Sequence, residues 1–172
     1  MSEVGSNEGT AGTVPDGLQP SGRDHPPATV APSLVPTGLP GWASKDPLKL
    51  CHCIRSAYIE LHARAKASGL ALVTIETARD FTRQRYYKSI GVSKTLNSYH
   101  LPQPPHGLSL AFDVAPKDYL RIKGWHPKGP LWFVLADLGR ELGLEPGADF
   151  LGMNKGWDWP HFQFKTCRCV VA

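Results

Sequence analysis

The residues best suited to chemistry lie in two clusters. Near the end of the chain, Trp157-Asp158-Trp159-Pro160-His161-Phe162-Gln163 sets a carboxylate three positions before an imidazole, amid aromatics and a proline. Upstream, Ser98-Tyr99-His100 is followed by His106 and then by Leu108-Ser109-Leu110-Ala111-Phe112-Asp113. Two imidazoles and one carboxylate make a three-ligand zinc site with its fourth position open to water, the arrangement of a catalytic rather than a structural zinc. Asp158 is then a spare carboxylate beside the metal, and the chemistry implied is metal-assisted hydrolysis.

Such ligands need a scaffold. Ser44 is placed to cap a helix starting near Asp46-Pro47, with the apolar stripe Leu50, Ile54, Ala57, Tyr58, Leu61 and Ala65 and a stop at Gly69. Leu70 to Glu76 reads as a buried strand, and Asp80 opens a second helix that runs to about Ile90 before Gly91. A proline-bearing loop covers 92–108, and Leu108 to Val114 is a short strand carrying Asp113. Residues 115–129 are irregular. Pro130 begins a third helix, with Leu131, Val134, Leu135, Leu138 and Leu142 along one stripe and Gly143 at its end. After a loop over 145–156, His161 to Phe164 alternates as a last strand. Helices and strands mix without a regular βαβ repeat, so the expected class is α+β, a small antiparallel sheet with flanking helices.

Composition divides the chain near residue 44. Residues 1–44 hold seven Gly and seven Pro with one aromatic, Trp42, and are expected to be a disordered tail. They lack the basic start and apolar stretch of a signal peptide, and no later segment approaches the ~20 apolar residues of a membrane helix. The tail carries one basic against four acidic residues. Residues 45–172 carry 18 basic against 11 acidic, net +7, and form the expected single domain. A basic domain favours polyanions such as nucleic acid, anionic lipid or cell-wall polymer. No nucleic-acid-binding signature accompanies the charge, so a nucleic-acid partner is not expected. Cys51 and Cys53 begin the domain and Cys167 and Cys169 end it. Reduced structural thiols, an end-to-end disulfide and a second zinc site are the three readings open to them.

Arg79, Gln84, Gly91, Ser98-x-His100, Ala111-x-Asp113 and Asp158-x-x-His161 follow one another across about ninety residues. In that order they resemble the peptidoglycan-cleaving zinc peptidases, which comprise D-alanyl-D-alanine carboxypeptidases, D-Ala-D-Ala dipeptidases and phage L-alanyl-D-glutamate endopeptidases. The family places a histidine seven residues before the aspartate. His106 meets that spacing, with Ser109 where glycine is expected. His100 meets the upstream context, nine residues after Gly91, and requires about six extra residues before Asp113. The stretch Leu101 to Pro105 can loop out at little entropic cost, so His100 is the expected ligand and His106 a rim residue or substrate contact.

The resemblance implies zinc held by His100, Asp113 and His161, with Asp158 as general base; orienting a ligand histidine is the alternative part for Asp158. It implies Arg79 as stabiliser of an oxyanion or holder of a substrate carboxylate, with Gln84 and Ser98 supporting it on the substrate side. The expected activity is hydrolysis of peptidoglycan stem peptides, as an endolysin-type L-alanyl-D-glutamate endopeptidase. The alternatives are a D-alanyl-D-alanine carboxypeptidase or a catalytically silent zinc-binding module. A monomer of phage or prophage origin is expected, cytoplasmic until release and then acting on the cell wall.

Overall fold

A four-stranded antiparallel sheet organises the computed structural model, which describes residues 38–118 and 129–166. In chain order the strands are β1 (Ala43–Ser44), β2 (Leu72–Glu76), β3 (Ala78–Arg79), β4 (Ala111–Pro116), β5 (Glu145–Pro146) and β6 (His161–Gln163). The helices are α1 (His52–Ala67), α2 (Phe81–Ser89) and α3 (Pro130–Glu141). The main sheet runs β2-β4-β6-β5, and β1 pairs with β3 in a separate two-stranded ribbon. The class is α+β, as expected. No helix among the described residues is long and apolar enough to cross a membrane.

One face of the sheet carries the core. Phe112 and Phe162 are register partners whose rings stack 5.6 Å apart, and they join Ile54, Leu61, Trp132 and Leu135 from α1 and α3 in one buried cluster. Side chains alternate across a strand, so the neighbours Asp113 and His161, also register partners, project to the opposite face.

β2 breaks this alternation once. Thr74 stands opposite Val114, but Glu76 stands opposite Asp113, so Ile75 is an extra residue in β2. Thr74 meets the α1 tyrosine Tyr58 by hydrogen bond, and Ile75 packs on the core cluster. Regular pairing would send Glu76 to that same core face. The bulge turns it to the Asp113 side instead.

The helices depart from expectation at two points. α1 starts at His52, not near Asp46. Ser44 lies in β1, and the Asp46 side chain caps a separate 3-10 turn over Pro47–Lys49 by accepting from Leu48 N–H at 2.8 Å. Leu50 and Cys51 are extended between turn and helix, because Leu50 bridges to Ser109 and Cys51 N–H donates to Ser109 O at 2.9 Å. In α3 the buried face runs through Trp132, Leu135, Ala136 and Gly139, whereas Val134 is exposed. The rest of the expected stripe packs, with Leu135 buried and Leu131, Leu138 and Leu142 partly buried against the core, and the helix lies so close to β6 that a Cβ at Gly139 would collide with the Phe162 ring. α2 follows expectation, with Asp80 accepting from Arg83 N–H at 2.8 Å.

Residues 1–37 of the expected tail lie outside the described residues. The described chain includes residues on the tail side of the expected boundary. Ala43 and Ser44 pair with Arg79 and Ala78, and Asp80 N–H donates to Trp42 O at 3.1 Å. β4 continues to Pro116, beyond its expected end, and the expected loop over 145–156 contains β5 and a 3-10 turn at Gly147–Asp149. Cys167 and Cys169 also lie outside the described residues. Cys51 is buried, with its sulfur 3.7 Å from that of Cys53.

Candidate metal centre

Three elements meet on the face of the sheet away from α1 and α3. β4 supplies Asp113 and β6 supplies His161, side by side in register. The third side chain, His100, comes from the loop between α2 and β4. Ser98 shapes that loop by accepting from His100 N–H at 3.2 Å, and Arg79 N–H donates to His100 O at 3.0 Å. Leu110 N–H donates to Tyr99 O at 2.8 Å, and the Ser109 hydroxyl lies 2.9 Å from that same carbonyl, so the loop is sewn to the start of β4.

Residues 101–108 leave this seam and return to it as a self-contained excursion. Gln103 N–H donates to Leu108 O at 2.9 Å, and the Gln103 amide donates to the Ser98 and Leu101 carbonyls at 3.0 Å each. His106 sits on the exposed turn of that excursion. His100 Nε2, Asp113 Oδ1 and His161 Nδ1 instead converge, each 3.1 Å from the other two.

This triangle fits a cation. A tetrahedral ion bound at ~2.0–2.1 Å sets its ligand atoms about 3.3 Å apart. The tautomers point the same way. Gln163 donates its amide to Glu145 Oε2 at 2.6 Å, which leaves its Oε1, 2.9 Å from His161 Nε2, to accept. His161 therefore carries its proton on Nε2 and turns the Nδ1 lone pair into the triangle. While His161 is neutral, lone pairs from Asp113 and His161 face each other, with the proton of His100 Nε2 available to serve either. The three residues form a group able to hold a metal ion. Beside them Asp158 adds a further carboxylate whose charge acts on Asp113 and His161, and an ionised carboxylate there favours a cation.

The electrostatics follow from burial. Burial lowers His100 to about 4, so the ring is neutral at neutral pH and its lone pair is available to a metal. Burial also works against charge on His161, but the hydrogen bond and charge of Asp113 overcome it and raise that imidazole. Asp113 resists burial in the same way: the two imidazoles hold its carboxyl well below the usual range. Glu76 is pushed to about 7 by burial and by Asp113, with Arg79 opposing. Asp158 is raised to about 6 by burial first and then by Asp113.

Asp158 is not a corner of the triangle. Its carbonyl accepts from His161 N–H at 3.0 Å, which sets its place at the turn into β6. The turn itself is pressed onto the 3-10 segment 147–149, where a Cβ on Gly147 would collide with the Asp158 carbonyl. Arg140 braces this region by donating to Asp149 at 2.7 and 2.8 Å and to Asn154 at 2.7 Å.

Arg79 is buried and committed on several sides. Nε donates to Glu76, Nη1 donates to Gln84 Oε1 at 3.0 Å, and Nη2 lies 3.7 Å from Asp113 Oδ2, all with the guanidinium over the Tyr87 ring. Gln84 is fully buried and passes the chain on to Ser93 Oγ and Thr95 O at 2.8 and 2.6 Å. Ser98 meets the backbone of His100 through its hydroxyl.

Sequence reasoning passed over Glu76, Glu145 and Gln163. Gln163 was findable: it lies two residues after His161 and so on the same strand face. Glu76 left one signal, an acid closing an otherwise apolar strand, but period-two alternation assigns it to the wrong face.

The sequence matches no family profile and no curated protein. Among solved structures the chain is similar to the L-Ala D-Glu endopeptidase ChiX of Serratia marcescens, at 24% sequence identity and a TM-score of 0.43, over 72% of this chain and 80% of that one.

Proposed function

We propose that the chain is a zinc-dependent peptidase that hydrolyses a peptide bond of bacterial peptidoglycan, as an L-alanyl-D-glutamate endopeptidase of the endolysin type. The convergence of His100 Nε2, Asp113 Oδ1 and His161 Nδ1 at 3.1 Å, with Asp158 next to but outside the triangle, carries this reading. The ordered segments from Arg79 to His161 that resemble the zinc peptidases of peptidoglycan support the choice of substrate. The net charge of +7 on residues 45–172 suits an anionic wall polymer.

His100, Asp113 and His161 would hold the zinc, which when bound would supply Lewis-acid polarisation of a carbonyl and a water of pKa about 7. Asp158, at about 6, is ionised at neutral pH yet basic enough to take the attacking water's proton and return it to the leaving amine. Arg79 adds positive charge beside the triangle, where an oxyanion develops, and Gln84 holds its guanidinium in place. The Glu145–Gln163–His161 chain fixes one ring against rotation. In this reading the protein is a monomer of phage or prophage origin that meets the wall after release from the cytoplasm.

Digestion of purified peptidoglycan, with mass spectrometry of the new termini, tests the proposal. New L-alanine carboxyl and D-glutamate amino termini are expected. Release of free D-alanine alone would mark a carboxypeptidase instead, and no cleavage by zinc-loaded protein would remove the enzymatic reading.

A further inference from the structure

We propose that Glu76 is a positioning residue of the metal centre, acting through Arg79 to aim the Asp113 carboxylate at the two imidazoles. The inference rests on the reading of His100, Asp113 and His161 as zinc ligands. It begins with the backbone. The extra residue Ile75 brings Glu76 opposite Asp113 on the site face of the sheet, where its side chain is buried at 8% exposure. Two carboxylates abreast on neighbouring strands repel, and bulges that re-aim a side chain gather beside functional sites.

Arg79 lies between them. Its own backbone N–H holds the His100 carbonyl at 3.0 Å, so one residue touches two of the three donor-bearing residues. The guanidinium plane is pinned at two points, Nε on Glu76 and Nη1 on Gln84 at 3.0 Å. Those two contacts leave Nη2 facing Asp113 Oδ2 at 3.7 Å while Oδ1 faces both imidazoles. Glu76 thus divides the Asp113 oxygens between guanidinium and metal without touching either ligand histidine. Partners at this remove typically change metal affinity or activity by about 10- to 100-fold when lost.

Four proteins test this: wild type, Glu76→Gln, Arg79→Gln and the double variant. The measurements are zinc affinity by competition with a chromophoric chelator, the visible spectrum of the cobalt-substituted protein, and thermal melting. Glu76→Gln should bind zinc about 10- to 100-fold more weakly, with an altered cobalt spectrum that a merely structural role would leave unmoved. The double variant should bind no more weakly than Arg79→Gln, because Glu76 acts through Arg79. Should Glu76→Gln alone fail to fold for want of a partner for Arg79, the double variant carries the comparison with Arg79→Gln. Wild-type affinity and spectrum in Glu76→Gln, or additive losses in the double variant, would overturn the inference alone. A wild-type protein that binds no zinc would overturn the ligand reading and this inference together.

Discussion

Asp158 offers the most direct test of how the site works, because its environment sets a measurable pH. Burial and the neighbouring charge of Asp113 raise its carboxyl to about 6, and the protonated form cannot accept the water's proton. The sign is that of an acid that must be ionised: activity is full above the midpoint and lost as pH falls through it. One pH unit below the midpoint about a tenth of the carboxyl is ionised, so kcat/KM should fall roughly tenfold per unit. A bound divalent ion draws the midpoint down, so an upper bound near pH 6 is expected. The assay is the initial rate on soluble peptidoglycan fragments from pH 4.5 to 8, with bound zinc measured at each point to separate loss of base from loss of metal. Asp158→Asn should keep its zinc, lose about 10²- to 10⁴-fold in rate, and show no limb in what remains. An unchanged acid limb in that variant, or a wild-type midpoint above 7 with zinc retained, would refute the assignment.

Three further outcomes follow from the geometry. His100→Ala should lose stoichiometric zinc, measured by metal analysis, whereas His106→Ala should keep it, because only His100 points a ring nitrogen into the triangle. Truncation of residues 1–37 should leave thermal midpoint and turnover unchanged, but truncation through Ser44 should lower the midpoint, because it removes the pairing of Ala43 and Ser44 with β3 and the Trp42 carbonyl that receives Asp80 N–H. Gly139→Ala should destabilise in a denaturant melt despite better helix propensity: overpacking against Phe162 costs roughly 1–3 kcal/mol, against a propensity gain of about 1 kcal/mol.

The donor residues were legible because strand and helix punctuation sat beside them. Asp80 and Gly91 bracketed α2, and the alternating His161-Phe162-Gln163 declared which residues share a face. Helix boundaries failed where tertiary contact outweighed local preference. Ser44 has the chemistry of a cap, but the ribbon with β3 claims it, and the Cys51–Ser109 bond delays α1 to His52. In α3 four of the five stripe residues pack on the core, but Val134 is exposed and Gly139 makes the close approach to the sheet, which rewards the absence of a side chain and leaves no apolar marker in the sequence. Glu76 was hidden for a related reason. A bulge changes the parity of a strand without any marker in residue type, and Ile75 looks like any other core aliphatic.

The excursion over 101–108 bears on how much the spacing between His100 and Asp113 is constrained. It leaves and rejoins the scaffold at one seam, the Leu110–Tyr99 bond, and satisfies its own polar groups through Gln103 on the way. Residues can therefore be gained or lost there while His100 and Asp113 stay where they are. The interval between these two residues can vary in length without moving either one, and a residue count is a poor guide to which histidine meets Asp113. A count of seven selects His106, which lies on the exposed turn, whereas the ring that joins Asp113 is that of His100.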